Sequence, residues 1–109
     1  MSDVAQPEKV AKILERLTTK MGIAARLEAE KAVVLWEEAV GKNIARRAKA
    51  VSIRNRILFV VVQNSAWLQE LSLLKEGIIE KVNSLVGKEV VKDIVFRIGN
   101  PGKESPHGP

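Results

Sequence analysis

Lys42, Arg46, Arg47, Lys49, Arg54 and Arg56 fall between positions 42 and 56 with no Asp or Glu among them. Fixed cationic groups at this density attract polyanions. They displace the counterions around phosphates, so binding weakens with salt and carries little base information. The net charge of +5 is local: of 18 Lys and Arg, the 12 outside this segment face 13 acids. Basic residues also protect exposed strand edges from pairing, but six without an acid exceed that need. These six residues are the candidate nucleic-acid contacts.

Other chemistries find few residues to carry them. The chain has no cysteine, which excludes disulfides, thiolate metal sites and cysteine nucleophiles. Its one histidine, His107, lies in a Gly- and Pro-rich end without companion ligands. Glu37 and Glu38 are adjacent on a helical stretch and point about 100° apart, so they do not share a substrate. Ser65 suits a helix cap, and neither a P-loop nor a dinucleotide-binding glycine pattern is present. No catalytic residue, metal site or cofactor is therefore expected, and the chain reads as a non-enzyme. Trp36 and Trp67 lie on apolar helical stripes, where core packing competes with a base-stacking role. With no tyrosine and only Phe59 and Phe96 besides, this is not an aromatic-rich single-strand reader.

The elements that position the basic segment follow from hydrophobic spacing. The 109 residues fit one domain, read as 1–98 with a flexible tail over 99–109. Pro7 opens a helix whose stripe is Val10, Ile13, Leu14, Leu17 and Met21. A second helix is expected from about Ala25 to Ala39, followed by Gly41 and a short helical turn at Ile44-Ala45. Val51 to Arg54 and Ile57 to Val62 read as strands joined at Asn55-Arg56, a two-residue hairpin turn. Lys42, Arg46, Arg47 and Lys49 then precede the first strand, while Arg54 and Arg56 flank the turn.

Asn64-Ser65 supplies cap chemistry for a helix buried along Trp67, Leu71, Leu74, Ile78, Val82 and Leu85. Gly77 predicts a kink or break there, and Gly87 suits its end. Val90 to Ile98 reads as the last strand. The expected fold is α+β, a small three-stranded sheet with helices packed on it, in the order α-α-β-β-α-β. If Leu58, Val60 and Val62 face the helices, Ile57, Phe59 and Val61 face the other side. Either the first helix covers that side, or it forms a partner or self-association surface.

No apolar run is long enough to span a bilayer, and the N-terminus lacks the pattern of a signal peptide. A cytoplasmic protein, without membrane contact and monomeric or weakly self-associating, is expected.

Several residue groups, taken in order, carry a resemblance. Trp36…Val40-Gly41…Ile44-Ala45 comes first, then Leu58-Phe59-Val60. Ser65-Ala66-Trp67…Glu70-Leu71, Val82-Asn83…Gly87 and Ile94-Val95-Phe96-Arg97 follow. The set resembles the DciA family of bacteria, over roughly Leu27 to Gly99. The resemblance implies a K-homology-like domain, similar to the amino-terminal domain of the replication initiator DnaA. It also implies a loader or operator of the replicative DNA helicase, with affinity for DNA ahead of RNA. The Gly-x-x-Gly clamp of true K-homology domains is missing, since that region reads Leu74-Lys75-Glu76-Gly77. The basic segment is then the main candidate contact. Two other readings stand beside this one: a protein-interaction adaptor with incidental DNA contact, and an RNA-binding accessory protein.

Overall fold

The structure, a computed structural model, describes residues 23–103. The expected first helix, from Pro7, and the tail beyond Lys103 lie outside the described residues. Residues 23–34 are helical (α1), and Leu35 interrupts the helix before it resumes as α2, Trp36–Val40. Backbone bonds from Leu35 to Lys31 and from Ala39 to Leu35 carry the ladder across the interruption. Gly41 then adopts φ 90° and ψ 162°, a region open essentially to glycine alone. The chain turns there into α3, Lys42–Ala45.

Strand β1, Ala48–Arg54, pairs antiparallel with β2, Ile57–Val62. The turn between them has Asn55 at φ 53° and Arg56 at φ 65°, the left-handed pair that a tight two-residue hairpin requires. Helices α4, Ser65–Leu73, and α5, Lys75–Val86, cross back to β3, Asp93–Ile98, which pairs parallel with β2. The sheet is mixed, in the order β1-β2-β3. With α1–α3 taken as one interrupted helical stretch and α4–α5 as another, the element order agrees with the expected α+β arrangement.

Three boundaries differ from those expected. The first strand begins at Ala48 instead of Val51, so Lys49 lies inside it. Alanine is a poor strand former, but here small residues are needed. Ala48 and Ala50 lie in the buried core with Trp36, whose indole Nε1 donates to Ala48 O at 2.9 Å. The break in the long helix falls at Leu74, φ −95° and ψ 2°, and not at Gly77. Leu74 and Leu85, expected on the buried stripe, are exposed in part, whereas Leu71, Ile78 and Val82 are buried. The last strand begins at Asp93 instead of Val90. Asn83 prevents an earlier start: its Oδ1 accepts from the backbone N–H groups of Val90 and Val91, and its Nδ2 donates to Val91 O.

One sheet face packs on the helices. Ala48, Ala50, Leu58, Val60, Val62 and Ile94 bury against Val33, Trp36, Leu71, Ile79 and Val82. Each large aliphatic side chain removed from water there contributes about 1.5–3 kcal/mol. Asn64 caps α4, its Oδ1 accepting from Trp67 N at 3.0 Å.

The other face carries Lys49, Arg54, Ile57, Phe59, Val61, Asp93, Val95 and Arg97, by register and alternation. Ile57 and Phe59 are half-buried there, while Val61 is fully buried and Val51 nearly so.

The expected tail starts with a turn. Gly99 N donates to Val62 O, extending the ladder, and Asn100 accepts from Gly102 and Lys103. Pro101 is buried.

Candidate nucleic-acid interface

The basic segment is continuous in sequence and divided in space. A bulge decides how. Ala50 pairs with Val60 but Ser52 pairs with Phe59, so Val51 is an extra residue in β1. Five positions apart on a regular strand, Lys49 and Arg54 face opposite ways. The extra residue brings both to the face away from the helices, where they oppose Val61 and Ile57. They remain about 16 Å apart along the strand, at roughly 3.3 Å per residue.

At the foot of β1, Lys42, Arg46 and Lys49 line one cleft of about 620 Å³. Its other walls are Val33 and Val34 of α1, Trp36 and Glu37 of α2, and Pro101-Gly102. Since β1 and β3 are the two edge strands, the turn at Pro101 reaches across the sheet to close this cleft. At the hairpin tip, Arg54 and Arg56 line a larger cleft of about 1050 Å³ with Arg26 and Lys88. Three acids, Glu28, Glu30 and Glu89, share that lining. Arg56 is held in place, with Nη2 donating to Glu89 O at 2.9 Å while its own carbonyl accepts from Lys92 N.

Arg47 joins neither cleft. Its guanidinium donates to Gln63 Oε1 at 3.1 Å and its carbonyl accepts from Gln63 N at 2.8 Å. It ties the start of β1 to the end of β2. The side chains of Lys42, Arg46 and Arg54, by contrast, make no hydrogen bond or ion pair with other described residues.

Arg26, Lys88 and Arg97 were not predicted as site residues. Arg97 opposes Val61 across β2 from Lys49, so two cations bracket the foot of the face away from the helices. Its alternation with Phe96 and Ile98 was the available signal. Arg26 and Lys88 stand alone among other residues, and only the fold brings them to the hairpin. At the tip of the same face sits Asp93, whose carboxylate Lys75 Nζ contacts at 2.9 Å. That ammonium, followed by the backbone N–H of Ile94, holds the carboxyl below its ordinary range. The face away from the helices thus carries Lys49 and Arg97 at its foot and Arg54 with Asp93 at its tip.

The indole of Trp36 is buried and bonded, which assigns it to the core. Trp67 is half-buried and lines a shallow groove with Ile44, Glu70 and Leu74. No cluster of three or more His, Cys, Asp or Glu able to hold a metal occurs among the described residues. None of the described helices is long and apolar enough to cross a membrane.

Fold and site together define a small α+β domain with basic clefts at both ends of its hairpin. The family model described as Dna[CI] antecedent, DciA matches residues 9–96, and the chain belongs to the DciA family. It is similar to a UPF0232 protein of Mycobacterium bovis, 25% identical over 92 residues, which cover 84% of this chain and 49% of the relative. A UPF0232 protein of Mycobacterium leprae is 28% identical over the same shares. One from Rhodococcus jostii is 26% identical over 99 residues, 91% of this chain and 52% of the relative. The chain thus spans about half the length of these relatives.

Proposed function

We propose that this domain is a non-enzymatic DNA-binding module that assists the replicative helicase. It contacts phosphates through Lys42, Arg46, Lys49, Arg54 and Arg56, with Arg47 bracing the strand that carries most of them. The observation behind the DNA half is the exposure of Lys42, Arg46 and Arg54 without partners among the described residues. A structural role for surface cations normally shows as an ion pair or a capped carbonyl, and these three make neither. The helicase half, and DNA ahead of RNA, rest on membership of the DciA family.

Fluorescence anisotropy with single-stranded DNA, duplex DNA and RNA at two salt concentrations tests the reading. Reversal of Arg46, Arg47, Arg54 and Arg56 to Glu is expected to weaken DNA binding at least about tenfold and to flatten its salt dependence. Unchanged affinity sinks the basic-segment assignment. Mixing the chain with purified helicase after nuclease treatment addresses the other half. A stable complex formed by a chain without DNA affinity favours the adaptor reading instead, with the exposed Trp67–Leu74 groove as the surface to examine.

A further inference from the structure

We infer that the cleft at the foot of β1 seats one nucleotide of a single strand, with its phosphate on Lys42, Arg46 and Lys49 and its base against the exposed Val34. The inference rests on the nucleic-acid reading above and adds to it a subsite and a strand type.

The cleft is chemically two-sided. Three cations come from α3, from the residue after it and from β1, and the apolar lining is Val33, Val34 and Pro101, of which Val34 is the exposed one. Val34 is 75% exposed, although it sits one residue from the fully packed Val33. Among the described residues of this lining, Glu37 is the one acid beside the three cations. The volume of about 620 Å³ lies within the range of small-ligand sites, roughly 300–1,000 Å³. It suits one nucleotide and its flanking backbone.

Duplex and single strand use such a cleft differently. A duplex shows phosphates outside and keeps its base faces stacked within, so it can meet the cations but offers nothing to Val34. An unpaired nucleotide brings a phosphate and an apolar base face together on one flexible backbone, matching both walls. Concavity points the same way, because a recessed floor is reached by a splayed base and not by a rigid cylinder.

The test compares a short oligothymidine with an abasic deoxyribose-phosphate strand of equal length and charge, and with a duplex, by anisotropy. The wild-type chain is expected to bind the oligothymidine about fivefold or more tightly than the abasic strand, a modest share of what apolar burial supplies. Val34→Ser should erase most of that ratio while leaving the salt slope intact. Replacing Lys42, Arg46 and Lys49 together by Ala should lower the slope for single strands by about 0.7, the value for the one phosphate they share. Val34, Lys42 and Arg46 are exposed and Lys49 is half-buried, and unchanged thermal melts will show that folding is preserved. Equal binding of the base-bearing and abasic strands overturns the inference. So does an unaffected triple variant alongside loss of binding in an Arg54→Ala, Arg56→Ala chain, which keeps the DNA reading but moves contact to the hairpin tip. Absence of binding to any nucleic acid overturns both readings at once.

Discussion

At the foot of β1, Lys42, Arg46 and Lys49 line a cleft with apolar residues, with Arg97 at the same end of the sheet face away from the helices. At its tip, Arg54 and Arg56 project from a two-residue turn among Glu28, Glu30 and Glu89, with Asp93 nearby on the sheet. Both ends read alike as stretches of Lys and Arg. In the fold both are clefts, but the described lining of the foot has three cations and one acid, whereas that of the tip is mixed. Concave sites with cations on one wall and apolar residues on the other recognise a ligand's shape. Projecting arginines on a hairpin add electrostatic reach. On the reading proposed above, affinity for phosphate can arise at either end, and discrimination among strand types is assigned to the foot.

The largest effect expected from a single change falls on the scaffold of the foot. Trp36 fills the space between α2 and β1, is 3% exposed, and donates its indole hydrogen to Ala48 O. Trp36→Ala removes a large buried side chain and leaves that carbonyl without its donor, so a loss of about 3–5 kcal/mol is expected. Urea denaturation measures it. A loss below about 1 kcal/mol would mean that the foot is held by its neighbours alone, and the two ends would lose their structural distinction.

A smaller effect, of opposite sign, is expected at the tip. Arg56 occupies φ 65°, where a residue bearing Cβ is strained by about 1–2 kcal/mol. Glycine relieves that strain and also gives up the bond from Arg56 to Glu89 O. Arg56→Gly is therefore expected to stabilise the chain by about 0.5–1 kcal/mol, less than the relief alone. If DNA affinity falls as stability rises, the arginine is kept for contact at the expense of turn geometry. If both rise or neither changes, Arg56 is a turn residue and the tip drops out of the interface.

Much of this arrangement was legible beforehand. The hairpin at Asn55-Arg56, the cap at Asn64 and the buried stripe through Leu71, Ile78 and Val82 follow from local chemistry, which acts over a few residues. What was hidden depends on contacts between distant residues. Ala48 joins a strand because Trp36 requires a small residue there. The bulge at Val51, which turns Lys49 and Arg54 to one face, is a matter of register with β2. Arg26, Lys88 and Pro101 become neighbours of the basic segment only through tertiary packing. The charges themselves could be listed from composition, but their division into two unlike clefts could not.

The smallest expected effect concerns the acid that makes the tip mixed. Asp93 accepts from Lys75 Nζ and from Ile94 N, and both hold its carboxyl below the usual range. The folded chain therefore resists protonation there more than the unfolded chain does. The resulting stability is present above the ordinary carboxylate pKa, near 3.8, and is lost as pH falls through and below it. Because both partners are substantially exposed, the contribution should stay under about 1 kcal/mol. Comparison of wild type with Asp93→Asn by urea denaturation should show a small deficit in the variant at pH 7 that narrows towards pH 3. The same substitution removes a negative charge from the tip without touching the foot. Slightly tighter DNA binding, with the preference between base-bearing and abasic strands unchanged, would support separate roles for the two ends. A change in that preference would mean that the ends act as one surface.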